Sequence, residues 1–101
     1  NKKKLKLKIA VFDHISSSTG LLLPLKDINR IIRKWAPNCV IVIDGAHALG
    51  QVKIDFDEID CDFYSGNLHK WFYCPPACGF IYIKDRKKYD KILVPNYITH
   101  M

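Results

Sequence analysis

"CVIVID", residues 39–44, is an unbroken apolar run that closes on a carboxylate. A strand with one face in water alternates apolar and polar side chains, and this run does not. It therefore reads as a strand covered on both faces, as in a parallel sheet, with Asp44 at its carboxyl end. Parallel neighbours need crossover connections, and the sequence offers one strong helix for that purpose. Pro24 suits a first helical turn, and Leu25, Ile28, Ile31, Ile32 and Trp35 recur at helical spacing. Asp27 near the start, Arg33 and Lys34 near the end, and the stop at Pro37 fit the helix dipole and proline sterics.

The remaining segments fall around this pair. "LKIAVFDH" is a strand closed by the turn cluster "SSSTG"; "CDFYSGN" reads as a third strand and "GFIYIKD" as a fourth. The "LHKWFYCPPAC" link is too short for a full crossover helix, so the fourth strand is expected to run antiparallel, as an edge or cap. "GAHALGQVKIDFDEID" offers at most a short helical turn, and "RKKYDKIL" starts a closing helix. The expected class is α/β, a mostly parallel sheet flanked by helices. With so few helices one face stays uncovered, which points to a segment of a larger protein or to a docking partner.

Charge and composition exclude several classes. The net charge of +6 over 101 residues hints at nucleic acid, but "NKKKLKLK" holds five of the sixteen basic side chains and no acid. The body is balanced, and no aromatic and basic residues interleave as strand binding requires, so no nucleic-acid partner is expected. No apolar run approaches the roughly 20 residues of a spanning helix, and no signal-peptide core follows the lysines. A soluble, cytoplasmic protein with no membrane contact is the expectation. Cys39, Cys61, Cys74 and Cys78 are irregularly spaced and read as buried reduced thiols; Cys74 and Cys78 lack a second ligand pair, so no metal site is expected.

Ligands of open α/β sheets bind beyond the carboxyl ends of the strands. His14 with "SSSTG", Asp44 with His47, and Asn67 with His69 and Lys70 all follow strand candidates there. Any one of these has a plain structural explanation; an acid, imidazoles and an amine at three consecutive strand ends do not. A lysine facing an aspartate suits pyridoxal phosphate, where the amine forms a Schiff base and the carboxylate holds the ring nitrogen protonated.

"DHISSSTGLLLP", "VIVIDGAHALG" and "GNLHKW", in that order, resemble the class V aminotransferase family of fold-type I pyridoxal-phosphate enzymes, in particular its isopenicillin N epimerase-like and hercynylcysteine sulfoxide lyase-like branch. The resemblance implies a segment of the large domain of such an enzyme: residues 1–8 a basic lead-in, 9–94 a partial cofactor-binding domain, and 95–101 the start of a connection onward. It implies that Lys70 forms the internal aldimine and Asp44 pairs with the pyridinium, while His47 hydrogen-bonds near the phenolic oxygen. Asn67 and His69 help hold the phosphate, and Ser17 and Thr19 line the cofactor's edge. Trp71 matches an aromatic of the branch and is expected to pack under the lysine, whose burial would lower its affinity for a proton.

The substrate implied is an amino acid, and the assembly a homodimer with the cofactor near the subunit interface. After "HKW" the sequence departs from the family, with Pro76 and Ala77 where relatives carry a basic residue and a glycine. A second phosphate turn, the side chain that stacks on the ring and the arginine for the substrate carboxylate are not found here, so little turnover is expected of these residues alone. Two other readings stand beside this one: a non-catalytic relative of the same fold, and a basic-tailed module that binds an acidic partner with steep salt dependence.

Overall fold

The computed structural model describes residues 6–92. The first five residues of the basic lead-in and everything from residue 93 onward, including the proposed connection at 95–101, lie outside the described residues. Between them run β1 (Ile9–Asp13), α1 (Leu25–Trp35), β2 (Val40–Asp44), α2 (Phe56–Ile59), β3 (Phe63–Asn67), β4 (Gly79–Ile83) and α3 (Arg86–Tyr89). The sheet order is β1-β2-β3-β4; the first three strands are parallel and β4 is antiparallel to β3. The short link after β3 thus has the consequence expected of it. The closing helix is a single turn, with the Asp85 side chain accepting from the Lys88 amide.

Residues paired across the strands share a face. Ala10, Ile41, Ile43, Tyr64 and Tyr82 point to the side covered by α1 and α2, where Leu25, Ile59 and Cys61 complete the core. Aromatic contacts tie β4 into it. Phe56 stacks on Tyr82 with ring centroids 4.0 Å apart and meets Tyr64 edge-on at 5.3 Å. On the opposite face Ile9 is 59%, Val11 63% and Ile81 52% exposed, with Val42 and Phe63 only half-buried. "CVIVID" is therefore covered on one side rather than on both. The open side is the one that the shortage of helices predicts.

The helix also corrects the apolar pattern. Leu25 is buried and Ile28 and Ile32 half-buried, but Ile31 and Trp35 turn outward. The position four residues after Leu25 belongs to Asn29, fully buried, whose Nδ2 donates to the Ile59 carbonyl at 2.7 Å. A polar side chain on the inner stripe is invisible to a hydrophobic period. Here it joins α1 to the end of α2 by satisfying a carbonyl with no ladder partner.

A polar cluster closes the amino-terminal ends of β2 and β3. Asp62 Oδ2 accepts from Arg33 Nη2 at 2.8 Å and from the Ile41 amide at 2.8 Å. Arg33 also donates to the Cys39 carbonyl at 2.7 Å, and Lys84 pairs with Asp60. Burial pushes the Asp62 carboxyl up, but the Ile41 amide and the Arg33 guanidinium outweigh it and hold the group below its usual range.

Two outcomes follow from this cluster. Asp62→Ala leaves a half-buried guanidinium and a buried amide without a partner, and urea unfolding should show a loss of about 3 kcal/mol at unchanged m-value. Because the folded carboxyl has the lower proton affinity, its contribution is complete above the unfolded value of about 3.9 and declines as pH falls through the folded value. Asp62→Asn should flatten that acid limb of the stability curve.

Candidate functional site at the carboxyl ends of the parallel strands

The three parallel strands end level with one another because backbone bonds continue past the ladder. The His14 amide donates to the Asp44 carbonyl at 2.8 Å, and the Gly45 amide to the Ser65 carbonyl at 2.8 Å. Beneath them lies Tyr64, fully buried, its hydroxyl 2.8 Å from His14 Nδ1. A Cβ at position 45 would sit 2.1 Å from the Tyr64 ring, so only glycine lets the chain turn there directly above the phenol. Burial raises the Tyr64 phenol and lowers the His14 imidazolium, so both groups are neutral near pH 7 and share one proton bond.

From that floor rises the turn carrying the acid and the imidazole. Asp44 ends β2 exposed, one carboxylate oxygen accepting from the Ala46 amide at 2.9 Å. Asp13 is its register partner on β1 and Ser65 its partner on β3, so two carboxylates project from one face at neighbouring strand tips. That pairing favours a cationic ligand. Sequence reading passed over Asp13, because only the register brings it beside Asp44.

His47, half-buried, stands between two side chains of the turn that follows β3. Its Nε2 lies 3.4 Å from Lys70 Nζ, and its Nδ1 receives the Trp71 indole N–H at 3.3 Å. Gly50, at φ +83°, holds this arrangement from behind: a Cβ there would lie 2.8 Å from the Trp71 carbonyl oxygen. A cavity of about 330 Å³ opens alongside, lined by Ile15, Ser16, Ser17, Gly20, His47, Gln51 and Trp71. The serine-rich turn after β1, the imidazole after β2 and the indole after β3 thus share one hollow.

Not every expected residue reaches it. Thr19 Oγ1 accepts from the Leu21 amide at 3.4 Å and serves its own turn, and it does not line the cavity. Asn67 ends β3 half-buried on the open face. The His69 ring bonds the Cys78 carbonyl through Nδ1 at 3.2 Å, and since a carbonyl only accepts, that nitrogen carries the proton. Lys70 is exposed, contrary to the burial expected of it, as are Trp71, Phe72 and Tyr73 that follow it in the same turn. Cys39 and Cys61 are buried free thiols, and burial pushes Cys61 up to about 11; Cys74 and Cys78 are half-buried and free.

Comparison with known proteins bears on this geometry. The family model for aminotransferase class-V matches residues 2–94. The L-cysteine desulfhydrase of Arabidopsis thaliana is 45% identical over 80 residues, 79% of this chain and 17% of that protein. The isopenicillin N epimerase of Streptomyces clavuligerus is 40% identical over 76 residues, 75% of this chain and 19% of its own length. Among solved structures, the cystine C-S lyase C-DES in complex with cysteine persulfide superposes with a TM-score of 0.70 at 32% identity, covering 75% of this chain and 20% of that one. The chain thus spans under a fifth of the length of these curated relatives.

The floor of the site carries its own prediction. A histidine whose proton affinity is lower folded than unfolded contributes stability that is complete above about pH 6.5 and is lost as pH falls toward its folded value. The free energy of unfolding measured in urea should therefore start to decline as pH falls below about 6.5. His14→Gln should remove that first limb while leaving the one owed to Asp62.

Proposed function

This chain belongs to the aminotransferase class-V family, and from that premise we propose that Lys70 anchors pyridoxal phosphate in an enzyme acting on an amino acid. Members of the family depend on that cofactor. The donor set fits it. Asp44, with Asp13 beside it, offers negative charge to a protonated ring nitrogen, His47 offers an imidazole N–H to a phenolic oxygen, Ser17 offers a hydroxyl, and Lys70 offers an amine to an aldehyde. The contact of 3.4 Å between Lys70 Nζ and His47 Nε2, three residues beyond Asp44, is the observation that carries the reading.

When bound, pyridoxal phosphate withdraws electrons from the carbon bearing the substrate's amino group. The residues do the rest. The Asp44 carboxylate would face the ring nitrogen and favour a proton there by its charge. His47 would orient the group beside Lys70, next to the hollow that Ser17 and Trp71 line. Lys70 Nζ takes and returns the proton at the substrate's α carbon, acting as base and acid in turn.

Cleavage of a carbon–sulfur bond in a cysteine-type amino acid is the branch we favour, supported by the likeness to the desulfhydrase and the C-S lyase. Epimerisation is the second reading, supported by the likeness to the epimerase. We further propose that this segment works within a longer polypeptide, because it spans so little of its relatives and its sheet has an open apolar face. Other parts of that polypeptide would then enclose Lys70, and a homodimer belongs to the same proposal.

Borohydride treatment and peptide mapping test the anchor. The full-length protein loaded with pyridoxal phosphate should show a visible band that borohydride abolishes, with the label fixed on Lys70. Lys70→Ala should lose the label and about 10²–10⁴-fold or more of the release of sulfide from cysteine. Asp44→Ala should keep the label and lose turnover. A label on another lysine, or no visible band at all, overturns the assignment.

A further inference from the structure

The two contacts of His47 fix more than its position. An indole N–H can only donate, so His47 Nδ1 must accept, and the proton of the neutral ring then sits on Nε2. That N–H is the one facing Lys70 Nζ. We propose that Trp71 is a positioning residue that locks His47 in the Nε2–H form, so that the imidazole presents a donor to the reactive end of Lys70. The functional part of this inference rests on the proposed role of Lys70 as cofactor anchor.

The chemistry of the pair explains why a lock is needed. An ammonium has three donors and no acceptor, so a Lys70 ammonium favours the opposite form of His47, with a bare Nε2 facing it. Such a ring has no N–H to give to a phenolic oxygen, nor to a lysine nitrogen that carries a lone pair once joined to an aldehyde carbon. Donation from Trp71 opposes that flip. Core packing does not account for the indole, which is 46% exposed. Its backbone is held against Gly50, where a Cβ would meet the Trp71 carbonyl oxygen at 2.8 Å, and its ring lines the same cavity as His47. The Trp71 backbone thus lies against Gly50 while its indole N–H meets the imidazole.

The lock also predicts which neighbour can do without it. A glutamine at position 47 would carry its N–H on a nitrogen that cannot exchange protons with a second ring atom, so the indole would have nothing left to determine.

Long-range proton–nitrogen spectra of the full chain, labelled with ¹⁵N-histidine and recorded where His47 is neutral, read the form directly; His47→Gln identifies the signals. The expected result is a protonated Nε2 and a bare Nδ1 in the parent protein. In Trp71→Phe, which keeps a ring and removes the donor, the pattern should shift toward protonated Nδ1. With pyridoxal phosphate as probe, Trp71→Phe should weaken loading by about 3–10-fold, as the competent form of His47 becomes a minority. The same change in a His47→Gln background should have no further effect.

Unchanged histidine signals in Trp71→Phe overturn the inference, whatever the cofactor does. Equal effects of Trp71→Phe with His47 and with Gln at 47 also overturn it, since they would show a merely structural role. Shifted signals together with a protein that takes up no cofactor support the lock and remove the function proposed for Lys70.

Discussion

Tyr64 is the side chain on which the rest depends. It comes from β3, yet its ring fills the space under Gly45, its hydroxyl meets His14 after β1, and its edge meets Phe56 of α2. One buried phenol therefore supports the turns that leave β1 and β2. The contact with Gly45 admits no Cβ, and the bond to His14 leaves no polar atom of the phenol unpaired in a dry interior. Were the phenol displaced, the turn bearing Asp44 and His47 would lose the surface it rests on.

The sheet divides its polar groups between its two ends. At the amino-terminal ends of β2 and β3, Arg33, Asp62, Asp60 and Lys84 pair with one another and with backbone groups, and each charge faces an opposite one. At the carboxyl ends, Asp13 and Asp44 stand side by side from neighbouring strands, and in the turns that follow β2 and β3 an imidazole and a lysine face each other. The first arrangement is satisfied within the chain and holds α1 against the sheet. The second is like-charged at one edge and ready to accept a cation. That contrast separates a cluster that is neutralised within the chain from one that is not.

Trp71 shows how a short stretch can be read correctly in order and incompletely in role. Its place after Lys70 suggests an aromatic floor, and its exposure argues against one. The turn after β3 bends back so that residues 70 and 71, which point in different directions in an extended chain, both reach the same imidazole. His47 becomes the meeting point of two strand ends through one ring.

Element order, the antiparallel fourth strand, the helix between Pro24 and Pro37 and the three polar strand ends were all legible in the sequence. They follow from local rules: apolar runs, turn residues and the length a crossover needs. An uncovered face was legible too, because it requires only counting helices. What the sequence could not disclose depends on register and packing. Asp13 joins Asp44 only through strand alignment, Asn29 enters the buried stripe only because a carbonyl of α2 needs a donor, and Thr19 turns to its own loop instead of the cavity. Lys70 is exposed among the described residues, and a side chain's surroundings are set by parts of the chain far from it in sequence. The sequence determined which groups would stand at the strand ends. Tertiary structure alone decided which atoms face each other there, since hydrogen-bond direction and burial are properties of neighbours in space.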